Sequence, residues 1–298
     1  MRNPFLVLAF SLVASACSYG QSAMPTAGAL SRTFMIKMNG EQGTMFAVHV
    51  DGRQYWVTAR HLLTGAKTGP PYGRITAKTS TLEVMIPDSG NIQWKPYEFD
   101  VIDPGDENAD VVVLAPRLPM PGFSSRSLSI MDSNGSVFLG GECSFLGFPF
   151  AESYVVKFKD SSAAFRLPYM KHCYISAILS GPPAMYVLDG INNFGFSGGP
   201  VLYGTGPQQR VIAVISGFRP ELSEVQTVEI PVPETAPTSM QSGQSAQPRK
   251  KTEKHQVVIL NPGIIYAYSI DVALTAIRKN PIGRPETESD SAPAKPSN

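Results

Sequence analysis

The chain has 298 residues, a formal net charge of +1, 16% charged residues and 43% hydrophobic ones. Such a composition suits a globular protein and excludes a broad electrostatic attraction to nucleic acid or acidic lipid. The length admits one large domain or two modest ones, and all-β double barrels of about 200 to 250 residues occur as single units.

The N-terminus reads Met1-Arg2-Asn3-Pro4, then an apolar run from Phe5 to Val13, then Ala14-Ser15-Ala16-Cys17. A basic start, a short apolar stretch and small residues at its end mark a secretory signal over residues 1–16. Two endings fit. Cleavage after Ala16 gives a freely secreted protein; a bacterial lipobox gives a lipid-modified Cys17 and membrane attachment, although Ala14 stands where a lipobox usually has leucine. Either way the expected location is the periplasm, the cell envelope or the medium. An oxidising compartment favours pairing of the remaining Cys143 and Cys173, closing a loop of about 30 residues. Two separate buried thiols are the alternative. Neither cysteine has a metal-ligand spacing and the four histidines are scattered, so no metal site or cofactor is expected.

Short β-branched or aromatic runs follow one another at Phe34 to Met38, Met45 to Val50, Gln54 to Val57, Thr81 to Ile86, Glu98 to Ile102 and Val111 to Leu114. More come at Ser136 to Phe145, Tyr154 to Lys159, Cys173 to Leu179, Met185 to Leu188, Pro200 to Tyr203 and Val211 to Phe218. Gly, Pro, Asn and Asp punctuate them, which predicts an all-β sandwich or barrel. Residues 221–256 are rich in Pro, Ser and Gln with a basic cluster Arg249-Lys250-Lys251, and predict a disordered insertion. One helix is expected, over Asp271 to Arg278 with Ser269 as its cap. Residues 281–298 are expected to form a flexible tail.

Three segments carry chemistry. Thr58-Ala59-Arg60-His61 ends a strand with a histidine, Asp110 opens the apolar run to Leu114, and Asn193-Phe194-Gly195-Phe196-Ser197-Gly198-Gly199-Pro200 sets a serine among glycines. A serine hydroxyl needs a base to become nucleophilic, a histidine is suited to that task near neutral pH, and a carboxylate can orient the histidine. His49, His172 and His255 lack such contexts and read as structural or exposed.

In these segments the chain resembles the trypsin-like serine peptidases, and the bacterial HtrA-type proteases most. The family's T-A-x-H matches Thr58 to His61, its D-[IVL]-A-[VL]-L matches Asp110 to Leu114, and its D-x-x-x-N-x-G-N-S-G-G-P matches Asp189 to Pro200. A G-x-P element is present as Gly147-Phe148-Pro149. The resemblance implies two six-stranded antiparallel β-barrels in a domain over residues 33–280, with a short C-terminal helix. It also implies a triad of His61, Asp110 and Ser197, an oxyanion hole from the amides of Gly195 and Ser197, and Ser216 in the framework near Asp110. Peptide bonds of protein or peptide substrates would be cut through an acyl-enzyme. No PDZ domain is expected after the barrels.

The chain departs from the family at Phe196, where trypsin-type enzymes carry an aspartate that pairs with a newly cut N-terminus. Activity is therefore expected not to depend on trypsin-style cleavage near Phe34, and the state of the oxyanion hole is left open. Ile191, at the position acidic in trypsin, together with the strand Ile215-Ser216-Gly217 and Phe218, predicts a pocket for an apolar or small side chain. Asp189 is expected to be a framework residue. The alternative to an endopeptidase is a latent or inactive relative that binds peptides or an envelope partner.

Overall fold

The computed structural model describes residues 24–66, 69–88, 91–118, 128–130, 136–157, 164–218, 221–224 and 257–285. The expected signal, Cys17, His255, the body of the insertion and the tail beyond residue 285 lie outside the described residues. The chain divides into a larger unit, Met1–Arg219 with Gly263–Asn298, and a smaller one, Pro220–Pro262.

The larger unit begins with helix α1 (Ala27–Ser31) and strands β1 (Thr33–Met38), β2 (Glu41–Val50) and β3 (Arg53–Thr58). Helix α2 (Arg60–Thr64) precedes β4 (Thr79–Asp88), β5 (Asn91–Ile102) and β6 (Val112–Pro116). Then come β7 (Glu142–Gly147), β8 (Tyr154–Lys157), β9 (Ala164–Leu167), β10 (Tyr169–Leu179), β11 (Met185–Asp189), β12 (Pro200–Tyr203) and β13 (Arg210–Phe218). The smaller unit holds β14 (Glu221–Glu224) and β15 (Val257–Leu260), and the larger resumes with β16 (Ile264–Ser269), helix α3 (Asp271–Lys279) and β17 (Arg284–Pro285).

Strands β3, β2, β1, β4, β5 and β6 pair in that order, and β6 returns to β3, closing a six-stranded antiparallel barrel. A second barrel closes in the order β10, β11, β16, β13, β12, β7. The chain therefore has the all-β, two-barrel architecture of the chymotrypsin-like fold, with one short helix near its C-terminal end.

Barrel strands that also pack against a neighbouring barrel bury both faces, so they read as apolar runs rather than as alternation. In β2, Met45 and Ala47 join Phe34, Trp56, Leu82 and Phe99 inside the first barrel. Phe46 and Val48, pointing the other way, join Val57, Val113, Leu146, Leu202 and Val214 in a cluster fed by both barrels. Phe145, Ile175, Leu188, Phe196, Ile212 and Ile265 fill the second barrel. Full burial of each such side chain contributes about 1.5 to 3 kcal/mol, so the two interiors and the shared cluster fix how the barrels meet.

Some boundaries differ from expectation. Strand β5 starts at Asn91 rather than Glu98, because it pairs with β4 back to Asp88↔Asn91 while its residues Ile92 to Glu98 are exposed or half-buried and show no apolar run. The expected disorder over residues 221–256 is corrected at its start: Glu221–Glu224 is a strand that pairs with Val257–Leu260, just past the insertion, from Glu221↔Leu260 to Glu224↔Val257. The expected loose tail is docked at its start: Arg284 and Pro285 pair with Gln54 and Arg53, and Arg53 Nη1 donates to the Gly283 carbonyl at 2.7 Å. At α3 the expected cap is corrected: the residue at the N-cap is Ile270, which makes no side-chain cap bond, and Ser269 lies one residue before it, its Oγ accepting from the Asp271 N–H at 3.2 Å.

Candidate active site

The first barrel supplies a histidine and an aspartate. Strand β3 ends at Thr58, and His61 lies in the single turn α2 rather than at a strand end. That turn puts both its backbone and its ring against Asp110, in the loop before β6. The His61 N–H donates to Asp110 Oδ1 at 2.8 Å, and His61 Nδ1 lies 2.6 Å from Asp110 Oδ2. Asp110 is fully buried, and its Oδ2 also accepts from Ser216 Oγ at 2.5 Å. Burial pushes the His61 pKa down, but the hydrogen bond and charge of Asp110, with the charge of Glu41, outweigh it, and the net direction is up.

Ser216 has one hydroxyl proton, given to Asp110, so toward Tyr72 it can only accept. Tyr72 OH lies 3.2 Å from Ser216 Oγ and itself accepts from Tyr268 OH at 3.3 Å. A chain of hydroxyls from the second barrel thus ends on the carboxylate. Arg60 completes the support. Its side chain is fully buried, its Nε donates to the Ala109 carbonyl at 3.0 Å, and its guanidinium pairs with Asp103 and donates to Gly73 O at 3.2 Å. The residue next to His61 therefore grips the backbone next to Asp110.

The second barrel supplies Ser197, on the turn before β12. Its hydroxyl donates to the Ser216 carbonyl at 3.0 Å. Among the described residues, no hydrogen bond joins it to His61.

Each peptide of the preceding turn is oriented by its carbonyl, since C=O and N–H of a trans peptide point opposite ways. The Phe194 carbonyl accepts from the Phe150 N–H at 3.0 Å, and the Phe196 carbonyl from the Gly199 N–H at 2.8 Å. The N–H groups of Gly195 and Ser197 therefore face away from those partners, and neither donates a hydrogen bond among the described residues. Gly195 sits at φ +101°, and a Cβ there would lie 2.1 Å from the Phe148 carbonyl, so glycine is required.

Phe196 does not face the cleft. It is fully buried in the second barrel, edge-on to Phe145 at 4.9 Å, and the Lys171 ammonium lies 5.4 Å from its ring. A Cβ on Gly147 would meet the Phe196 ring at 2.5 Å, which accounts for glycine in the Gly147-Phe148-Pro149 element. Lys171 also donates to the Ile191 carbonyl at 2.8 Å and bonds the Asn193 side chain, tying down the loop ahead of the serine.

Of the residues expected to contact substrate, Ile215 is corrected to a framework residue. Its side chain is in the barrel interior, its N–H donates to Gly199 O at 2.9 Å, and its carbonyl accepts from Gly198 N–H at 2.7 Å. Bonding to Gly198 and Gly199, the two residues after Ser197, leaves its backbone nothing to offer a ligand. Ser216 presents a carbonyl, Gly217 and Phe218 are half-buried, and Ile191 is 60% exposed. Phe194 was missed by sequence reasoning; it is 71% exposed, with its ring 5.9 Å from that of Phe218. Asp189 is exposed at the end of β11, paired with Tyr174 and Ile264.

Cys143 and Cys173 are both buried thiols and stand as direct register partners across β7 and β10. Directly opposed antiparallel residues have Cα atoms about 4.5 to 5.5 Å apart, within disulfide reach. His172 faces Glu142 at 3.2 Å, and His49 Nε2 accepts from the Gly52 N–H at 3.2 Å, both away from the candidate triad.

No family model matches this chain, and no curated protein matches it in sequence. Among solved structures it is similar to the Rv3671c protease in its inactive form, at 16% identity and a TM-score of 0.45, over 87% of this chain and 98% of that one. It is similar to the HtrA-type protease AlgW at 15% and 0.48, covering 85% of this chain and 61% of that one. The protease Anisep from Arthrobacter nicotinovorans is similar at 11% and 0.46, over 85% and 97% of the two chains. These are likenesses at low identity; the fold and the site rest on the geometry above.

Proposed function

We propose that the chain is an exported serine endopeptidase that cleaves protein or peptide substrates through an acyl-enzyme. The observation that carries this reading is Asp110, fully buried and accepting at once from the His61 backbone, the His61 ring and Ser216. A carboxylate so placed fixes the imidazole tautomer whose other nitrogen accepts a proton, and stabilises the imidazolium that results.

In the proposed cycle the Ser197 hydroxyl rotates from the Ser216 carbonyl to His61, gives up its proton to Nε2 and attacks the scissile carbonyl. The undonated N–H groups of Gly195 and Ser197 take the oxyanion. His61 then protonates the leaving amine, and water repeats the sequence on the acyl-enzyme. Each oxyanion donor is worth about 3 to 4 kcal/mol in the barrier. The Phe194 and Phe218 rings favour an apolar side chain near the scissile bond.

Export rests on the N-terminal signal, with Cys17 as a site of lipidation or simply the residue after cleavage. In an oxidising compartment the opposed Cys143 and Cys173 would join as a disulfide.

A second reading is a latent peptidase that captures peptides, and the Ser197 hydroxyl resting on the Ser216 carbonyl favours it. Labelling of the purified mature protein with a fluorophosphonate separates the two. The peptidase reading expects adduct on Ser197, abolished by Ser197→Ala and by His61→Ala; a folded wild type that takes no label supports the latent one.

A further inference from the structure

We propose that the Thr44 hydroxyl and the Phe150 amide are positioning groups that hold the oxyanion turn open, an inference resting on the serine peptidase reading. If the 194–195 peptide flipped, the Phe194 carbonyl would replace the Gly195 N–H where negative charge develops. The Phe150 N–H, from the second barrel, holds that peptide directly, and the Thr44 hydroxyl, from the first, holds the next one at the Gly195 carbonyl, where the Phe148 N–H also donates at 3.5 Å.

Phe150 follows β7 in the second barrel. It lies at φ +53°, ψ 27°, and Ala151 follows at φ +62°, so two consecutive non-glycine residues adopt the left-handed region that L side chains avoid. The Phe150 ring gains little by it, being 64% exposed. What this backbone secures is the Phe150 N–H, placed 3.0 Å from the Phe194 carbonyl. Strain of this kind persists where surrounding structure enforces it, and it gathers at functional sites.

Thr44 belongs to β2 in the first barrel and is fully buried. Its Oγ1 donates to the Gly195 carbonyl at 2.7 Å, its N–H donates to the Ser197 carbonyl at 2.9 Å, and its own carbonyl accepts from Thr58 Oγ1 at 2.7 Å. A valine would fill the same volume, so the hydroxyl is there for its bond. With Gly199 on Phe196, three successive carbonyls, those of residues 194, 195 and 196, are all held by identified donors. The amides of Gly195 and Ser197 are left to face the substrate.

The test measures kcat and KM for p-nitrophenyl acetate, with thermal midpoints, for four variants: Thr44→Val, Thr44→Ser, Phe150→Gly, and a chain with the Phe150 amide replaced by an ester. Thr44→Val and the ester are expected to lower kcat about 10- to 100-fold with KM within about twofold, because the hole acts on the transition state. Thr44→Ser restores the hydroxyl and kcat, and Phe150→Gly, which keeps the N–H and tolerates positive φ, retains more kcat than the ester chain. Should Thr44→Val fail to fold, the ester chain is decisive. Full activity in the ester chain, or equal loss in Thr44→Ser and Thr44→Val, overturns the inference alone. A folded wild type inert to p-nitrophenyl acetate and to fluorophosphonate overturns the peptidase reading and the inference with it.

Discussion

Asp110 holds His61 at two points, accepting from its backbone N–H at 2.8 Å and meeting its ring Nδ1 at 2.6 Å. One carboxylate thereby fixes both the place of the helical turn and the orientation of the imidazole on it. The ring has only its far nitrogen left for chemistry.

A pH dependence follows from that contact. Burial lowers the His61 pKa, Asp110 and Glu41 raise it by more, and the net direction is up from 6.5. His61 acts as a base only when neutral, so kcat/KM should rise with pH through a midpoint above about 6.5. Asp110→Asn should lower that midpoint and cut kcat about 10⁴-fold. For stability the sign is the reverse. A raised folded pKa stabilises fully below the unfolded imidazole value, and the contribution is lost as pH rises through the folded one. A pH series of urea unfolding on wild type and His61→Gln checks this, with the variant lacking that component.

Arg60 is expected to matter more to stability than an ordinary surface cation. Its removal strips a partner from Asp103, whose side chain is 26% exposed, and donors from the Ala109 and Gly73 carbonyls. Arg60→Met should cost about 2 to 4 kcal/mol in chemical unfolding. It should also lower kcat, because the backbone beside Asp110 loses its anchor.

Much of this site was readable in the chain, and the limit was set by sequence distance. His61, Asp110 and Ser197 each carry a local signature of neighbours, and the apolar runs marked most strands. Thr44, Tyr72 and Phe150 carry none. Thr44 meets Gly195 across 151 positions and Tyr72 meets Ser216 across 144, and such pairings exist only once two barrels have closed. Ile215 misled because a residue beside a substrate-facing carbonyl can itself point into the barrel; strand alternation settles its direction only when register is known.

Activation by a new N-terminus is not expected. The partner such a terminus needs would be Phe196, which is buried in the second barrel. The segment ahead of Phe34 is itself part of the structure: the Thr26 N–H donates to Gln209 Oε1 at 2.9 Å, and Gln209 Nε2 donates to the Met24 carbonyl at 3.0 Å. A chain beginning at Met24 should be fully active, and one beginning at Phe34 should melt lower without gaining activity. Hydrolysis assays and thermal melts on the two chains decide it.

Cys143 and Cys173 should be joined in protein recovered from an oxidising compartment. Mass spectrometry should find two hydrogens missing, and reduction should cost about 3 to 4 kcal/mol in unfolding on chain-entropy grounds. Hydrogen bonding to Cys143 and burial both push the Cys173 thiol well above its ordinary range, so the reduced pair should resist alkylation until the protein unfolds. Rapid alkylation of the folded, reduced protein would reject that placement.

Strand β3 pairs with β2 along one edge, and two different partners share its other edge. β6 covers Trp56 to Thr58, and the two residues of β17 cover Arg53 and Gln54. An uncovered stretch of strand offers its amides and carbonyls to any other chain that can lie alongside. Arg284 and Pro285 cover that stretch; a chain ending before Arg284 is expected to keep both barrels and to expose a place where a second molecule can add a strand, which its mass in solution by light scattering would reveal.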